Sequence, residues 1–174
     1  WKAAWWRAVA ADFLLRPNAQ AQAWLRKQYE SFWGGKAPPP GLISVHIRWG
    51  DKWKDGPRTT IAEYVDAVRT MAYRHRLRAP VVFVTSEDGT AIDMFKTHAP
   101  TDWTVVFYAP AVGGVPKHAA HENVHYSPMQ DARASHGQMG FASLVALLLA
   151  MESKYYVLTW NSNWSRLMDE LRRG

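Results

Sequence analysis

Apolar residues along this chain recur first at helical spacing, then in short continuous runs that alternate with helical ones. Trp5, Trp6, Val9 and Phe13 follow a 3.6-residue period until Arg16-Pro17-Asn18 interrupts it. A second helix is predicted after the break, with Trp24, Leu25, Gln28 and Phe32 on one side. Gly34-Gly35-Lys36-Ala37-Pro38-Pro39-Pro40-Gly41 ends that pattern and is the linker candidate. Leu42 to Ile47 is a short β-rich run closed by Gly41 and Gly50, the pattern of a strand covered on both faces.

From there helix and strand alternate. Ile61 to His75 carries Ile61, Tyr64, Val65, Val68, Met71 and Ala72 at helical spacing, with Thr59 or Thr60 available as its cap. Val81 to Thr85 is predicted as a second strand, Ala91 to His98 as a short helix, and Trp103 to Tyr108 as a third strand. Residues 109–134 carry Gly, Pro and His without periodicity and are expected to form a long loop. Gly137 to Ser153 is an apolar helix, Tyr155 to Thr159 a fourth strand and Trp164 to Arg172 a closing helix. Strands separated by helices of this length require a parallel sheet with both faces covered. The expected class is α/β, a Rossmann-like doubly wound parallel sheet over residues 41–174, preceded by an N-terminal helical segment and linker over 1–40. Ligands of such sheets sit at the carboxyl ends of the strands.

Composition narrows the chemistry. The chain has 174 residues, room for one full domain, and an apolar fraction of 48%. It contains 10 Trp and no Cys, which excludes disulfides, thiolate metal sites and a Cys nucleophile. The apolar run from Met139 to Met151 is too short to span a bilayer as a helix, and the start lacks a secretion-signal pattern. Because the chain opens on Trp1, a piece of a longer protein is expected. Net charge is +6. The excess lies in residues 1–80, which hold 14 basic and 6 acidic residues. A basic half rich in Arg suits anionic partners, although a solvated basic surface has the same composition. No block of like charges and no Arg/Gly-rich tract supports nucleic acid.

Three strand ends carry candidate chemistry. In Val45-His46-Ile47-Arg48-Trp49-Gly50-Asp51-Lys52, His46 and Arg48 are two apart and share a face. A guanidinium there can give paired charge-assisted hydrogen bonds to a diphosphate. The alternative is a satisfied core histidine, with Arg48 paired to Asp51 or Asp88. In Val84-Thr85-Ser86-Glu87-Asp88-Gly89, helix capping accounts for Ser86 and Asp88. In Thr159-Trp160-Asn161-Ser162-Asn163-Trp164-Ser165, amides and hydroxyls at a helix start form either a phosphate site or an ordinary cap. No G-x-G-x-x-G, P-loop or G-x-S-x-G pattern is present. His118, His121, His125 and Glu122 crowd the long loop, but their spacing matches no zinc pattern and no metal is expected.

In combination these segments resemble the catalytic core of the core alpha-1,6-fucosyltransferases (glycosyltransferase family 23). More distantly they resemble the chitin-oligosaccharide and protein O-fucosyltransferases. "ISVHIRWGDK" is similar to the family's strand ending in V-H-V-R-R-T-D-K, and "WWRAVAADFLLRPN" to its Trp-rich helix with a terminal Arg-Pro pair. "VVFVTSEDGTAIDMFK" resembles its strand, Thr-Asp-Asp and helix, and "YYVLTWNSNWSRLMDEL" its closing strand, turn and helix.

The resemblance implies the donor-binding half of a GT-B enzyme that inverts configuration at fucose C1. The donor would be GDP-fucose and the acceptor the core GlcNAc of an N-glycan. It implies no metal and no cofactor, no nucleic-acid partner, and a Golgi-lumen setting. An N-terminal half and a membrane anchor would lie outside this chain. By the same resemblance Arg48 binds the β-phosphate and stabilises the leaving diphosphate, and His46 contacts the guanosine side. Trp49, Asn161, Ser162 and Asn163 lie around the donor.

Three positions depart from the family. Trp49 stands where it has a second Arg, and Gly56 where it has its proposed basic carboxylate, so Asp55 is the nearest candidate base. Ala146 stands near the position of a guanine-binding Asp, and no acid follows until Glu152. These departures keep two alternatives open: a non-catalytic nucleotide-sugar or glycan-binding relative, and a basic nucleic-acid-binding module.

Overall fold

The computed structural model describes Val9 and residues 16–49, 57–110 and 133–173. Their elements run α1 (Ala19–Trp33), β1 (Ile43–Ile47), α2 (Ile61–Arg74), β2 (Val81–Ser86), α3 (Gly89–His98), β3 (Thr104–Val106), α4 (Gln138–Met151), β4 (Tyr155–Leu158) and α5 (Asn163–Leu171).

Local chemistry sets most of these boundaries. Pro17 stops the preceding helical pattern, and Asn18 then caps α1 by accepting the Ala21 N–H at 2.9 Å. At the other end Gly34 adopts φ 59°, and the Gly35 N–H reaches back to the Glu30 carbonyl at 2.9 Å, which satisfies an end-of-helix acceptor. Thr60 opens α2 with a reciprocal capping box: its hydroxyl accepts the Glu63 N–H while the Glu63 carboxylate accepts the Thr60 N–H. Asp88 caps α3 through the Thr90 N–H at 2.8 Å, so that helix starts at Gly89, before the predicted Ala91.

The four strands are all parallel, in the order β3-β2-β1-β4. After β1 the chain steps outward through α2 to β2 and through α3 to β3, then crosses back to place β4 on the other side of β1. The reversal point lies between β1 and β4, where α/β sheets open a crevice at their carboxyl ends. The α/β class and the parallel sheet are therefore as expected, and the fold is consistent with a Rossmann-like arrangement.

Two cores cover the sheet. Ile43, Val45 and Ile47 of β1 and Val82 and Val84 of β2 pack with Ile61, Tyr64, Val65 and Val68 of α2 and Ile92 and Phe95 of α3. On the opposite face Phe83 meets Leu25 of α1, Val145 and Leu149 of α4 and Met168 of α5. The alternation of β1 and β2 across these faces follows from the two-residue strand period. It also turns Ser44 and His46, the polar residues of β1, toward the face that carries α5. Helix α1 is built into this second layer, with Phe32 edge-on to Phe83 at 5.6 Å between ring centroids.

The third strand is shorter than its sequence pattern, ending at Val106 where Tyr108 was expected. Among the described residues it is an outer strand, paired with β2 through Val81–Thr104, Val82–Val105 and Phe83–Val106. Beyond that point Tyr108 serves the helical layer, and its hydroxyl donates to Gln28 of α1 at 3.0 Å.

Candidate functional site

The carboxyl ends of β1 and β4 are joined by a buried polar network. Thr159, the first residue after β4, donates its hydroxyl proton to the His46 carbonyl at 2.8 Å. Its single proton is thereby committed, so the Tyr64 hydroxyl at 2.6 Å must donate to the Thr159 Oγ1. The Arg48 N–H donates to the same oxygen at 3.3 Å. One hydroxyl thus ties β1, β4 and α2 together.

The His46 ring is part of the same assembly. Its Nδ1 lies 2.7 Å from the Ser165 Oγ of α5, and that oxygen also accepts the Thr159 N–H at 3.0 Å. His46 is only 3% exposed. Burial, reinforced by the neighbouring Arg48 cation, lowers its pKa to about 3, so the imidazole is neutral at physiological pH.

Arg48 leaves β1 into the crevice and pairs with Glu87, the residue after β2. The same Glu87 oxygen accepts the Trp49 N–H at 2.9 Å. Both side chains are mostly shielded, at 18% and 16% exposure. Burial pushes the Glu87 pKa up, while the Arg48 charge and the two hydrogen bonds act against that rise. Arg48 is therefore fixed at the end of β1 and directed toward β2, with a carboxylate against it.

The remaining residues of the expected site divide in three ways. Ser162 is buried and caps α5 by accepting the Ser165 N–H at 3.4 Å, which is the ordinary cap the sequence also allowed. Asn161 and Asn163 flank it and are exposed, beside Trp160 at 91% exposure. The Trp49 side chain does not face the crevice: it is buried in the first core, with its indole N–H donated to the Thr59 carbonyl at 2.9 Å. Arg58 stacks over that ring at 5.4 Å. Asp55 lies outside the described residues, as do His118, His121, Glu122 and His125. Among the described residues no group of three or more His, Asp or Glu is arranged to hold a metal ion. No helix among them is long and apolar enough to cross a membrane. Ala146 lies on α4.

The alternative reading pairs Arg48 with Asp51 or Asp88; the structure brings Glu87 onto Arg48, Asp88 caps α3, and Asp51 lies outside the described residues. Nothing in the sequence marks Thr159, Ser165 and Tyr64 as members of one network. Tyr64 sits on the apolar stripe of α2 and Ser165 three residues after a helix cap, so each reads locally as core or cap. Only the Ser-x-x-Ser spacing from Ser162 to Ser165 hinted that this helix start holds more than one inward hydroxyl.

Chemically, the carboxyl ends of the strands offer one oriented guanidinium with a carboxylate of raised pKa beside it, on the β2 side of β1, and a capped helix start on the β4 side. The guanidinium suits an anion with several oxygens, because an Arg favours concentrated negative charge. No protein-family model matches this sequence, and no match is found among curated proteins.

Proposed function

We propose that this chain is the donor-binding half of an inverting GT-B glycosyltransferase that resembles the core alpha-1,6-fucosyltransferases. Its donor is GDP-fucose and its acceptor the core GlcNAc of an N-glycan. The observation that carries this is the placement of Arg48 directly after β1, with its backbone N–H on Thr159 at the end of β4 and its guanidinium held by Glu87 at the end of β2. A departing nucleoside diphosphate gathers negative charge on its β-phosphate, and an oriented guanidinium at the carboxyl end of the sheet favours charge there.

In the reaction the acceptor hydroxyl oxygen attacks C1 of the sugar. The bond from C1 to the β-phosphate oxygen breaks, its electron pair leaves with the nucleotide, and the acceptor proton passes to a base. Arg48 acts on the leaving group. Asp55, the candidate base, is proposed on sequence alone. His46 takes a different part from the direct guanosine contact the resemblance implies, because its ring is buried against Ser165. It serves as a positioning residue that links the end of β1 to α5. Glu87 holds Arg48 before the donor arrives, so binding requires the diphosphate to share or displace that carboxylate.

Calorimetric titration with GDP, GDP-fucose and UDP tests this reading. GDP and GDP-fucose should bind, and Arg48→Ala should weaken them about tenfold or more, the scale of a lost charge-assisted hydrogen bond of ~1.5–3 kcal/mol. A folded protein that gives no heat with any of the three, or an Arg48→Ala variant that binds equally well, refutes it.

A second reading, a non-catalytic nucleotide-sugar or glycan-binding relative, is favoured by one observation. The His46 and Trp49 side chains and the Arg48 guanidinium all have partners within the protein already. Release of GDP only when an acceptor glycan is added decides for the enzyme. Binding without release decides for the relative.

A further inference from the structure

The reversal that places β4 beside β1 also leaves β4 at the outside of the sheet among the described residues. The Tyr155 N–H points inward, to the Leu42 carbonyl at 3.2 Å. By the alternation of a parallel ladder, the N–H and C=O groups of Tyr156 and Leu158 then point outward. An outer strand of this kind is a template for another strand.

The space beside that edge is a groove of about 830 Å³. One wall is the end of α2, with Met71, Arg74 and His75, and the other is α5 from Ser165 to Arg173. A strand laid along β4 would lie between the two helices, as an internal strand does. The groove touches Thr159 and Ser165 at the start of α5 but neither Arg48 nor Glu87, so it lies apart from the guanidinium–carboxylate pair.

Its charge is one-sided. Five cations line it, Arg74, Lys154, Arg166, Arg172 and Arg173, against two acids, Asp169 and Glu170. Asp169 already holds both Arg172, at 2.5 Å, and Arg173, at 2.6 Å. Arg74 and Arg166, on opposite walls, have no acidic partner among the described residues. Arg166 also sits in the first turn of α5, where the helix dipole opposes a positive charge. At the start of β4 Lys154 lies over the Tyr155 ring at 5.7 Å and Arg172 over the Tyr156 ring at 5.5 Å, while Arg166 stands toward the other end. At the other end the groove finishes on Trp160, an indole that is 91% exposed.

We propose that this groove takes an acidic, extended peptide segment as an added strand on β4. Its carboxylates face Arg74, Lys154 and Arg166, and an apolar side chain rests on Trp160. The outward C=O groups of Tyr156 and Leu158 select a peptide over a nucleic acid, because a phosphate backbone has acceptors to offer but no amide N–H. The charge selects against a second copy of the chain, since β4-to-β4 pairing would bring the same five cations face to face. The inference is independent of the nucleotide reading of Arg48.

The test uses an eight-residue peptide that repeats Glu-Glu-Val-Val, so that carboxylates face both walls, at millimolar concentration. Controls are its lysine-for-glutamate counterpart, a version with proline at two central positions, and oligo(dT). Amide exchange by NMR should slow at Tyr156 and Leu158 with the glutamate peptide alone. Its affinity should fall about tenfold or more in an Arg74→Glu/Arg166→Glu variant whose circular dichroism matches the parent. Unchanged exchange at Tyr156 and Leu158 in the unsubstituted protein overturns the proposal without recourse to any variant. Equal binding of the proline or lysine peptide overturns it, as does tighter binding of oligo(dT) lost in the same variant. Peptide-independent dimerisation that protects those two amides overturns it in favour of a second copy.

Discussion

Lowering the pH from 7 to 5 sets folding against protonation of His46. In the unfolded chain its imidazole titrates near the usual value of 6.5. In the fold, burial first and the Arg48 cation second lower that value to about 3. Between those two values the unfolded chain binds a proton that the native state refuses, so stability rises with pH there and is lost as the pH falls. One pKa unit corresponds to about 1.4 kcal/mol, so the step from pH 7 to pH 5 removes about 2 kcal/mol. The whole window down to pH 3 removes about 4 kcal/mol, close to the lower end of the total stability of a small domain.

Glu87 acts in the opposite sense. Its raised pKa means that the native state takes up a proton first as the pH falls, which stabilises the fold through that part of the range. Wild type alone would therefore mix two effects, and the informative quantity is a difference. Urea unfolding followed by Trp fluorescence, at pH 7 and pH 5, should be run on wild type and on His46→Asn. The Asn amide can reach Ser165 but cannot titrate. The variant will be less stable at both pH values because it underfills the site, and its loss between them should be about 2 kcal/mol smaller. His75, His98 and His136 lie on the surface and are common to both proteins. Equal losses in the two proteins would show that His46 is not held neutral by the fold. An NMR titration that moved the His46 ring signals between pH 7 and 5 would refute the same reasoning.

Other perturbations follow from the same contacts. Thr159→Val keeps the shape but removes the oxygen shared by Tyr64, Arg48 and the His46 carbonyl. It should cost about 2–3 kcal/mol in denaturant unfolding, with Thr159→Ser recovering most of it. Glu87→Ala leaves a largely shielded guanidinium without its carboxylate, so a loss of about 3 kcal/mol is expected in the same assay. Phe83→Ala empties the centre of the second core, where the ring is fully buried, and should lower stability by about 3–5 kcal/mol. Thr60→Ala removes half of the capping box of α2 and should cost about 1 kcal/mol, read as a small drop in midpoint with an unchanged slope.

The order of helices and strands, the parallel class and most element ends are legible from residues within a few positions of one another. The stripe Ile61, Tyr64, Val65 and Val68 marks α2, and the apolar run Ile43 to Ile47 marks a strand covered on both faces. Asn18, Thr60, Asp88 and Ser162 announce four helix starts because a cap bonds to backbone only two or three residues away. Arg48 at a strand end was legible for the same reason, since strand direction and alternation are local properties. What that guanidinium meets was not. Glu87 is 39 residues from Arg48, and Ser165 is 119 from His46. Those pairs exist because β2 and β4 both lie against β1 in one register, which long-range packing decides. The same packing turned Trp49 from an expected donor contact into core. It also stopped β3 at Val106 and put the basic edge of β4 at the outside of the sheet among the described residues. Sequence by itself therefore determined the elements and the residues at their ends. Tertiary structure alone decided which ends face each other, because strand order and helix side arise from burying two faces of one sheet together.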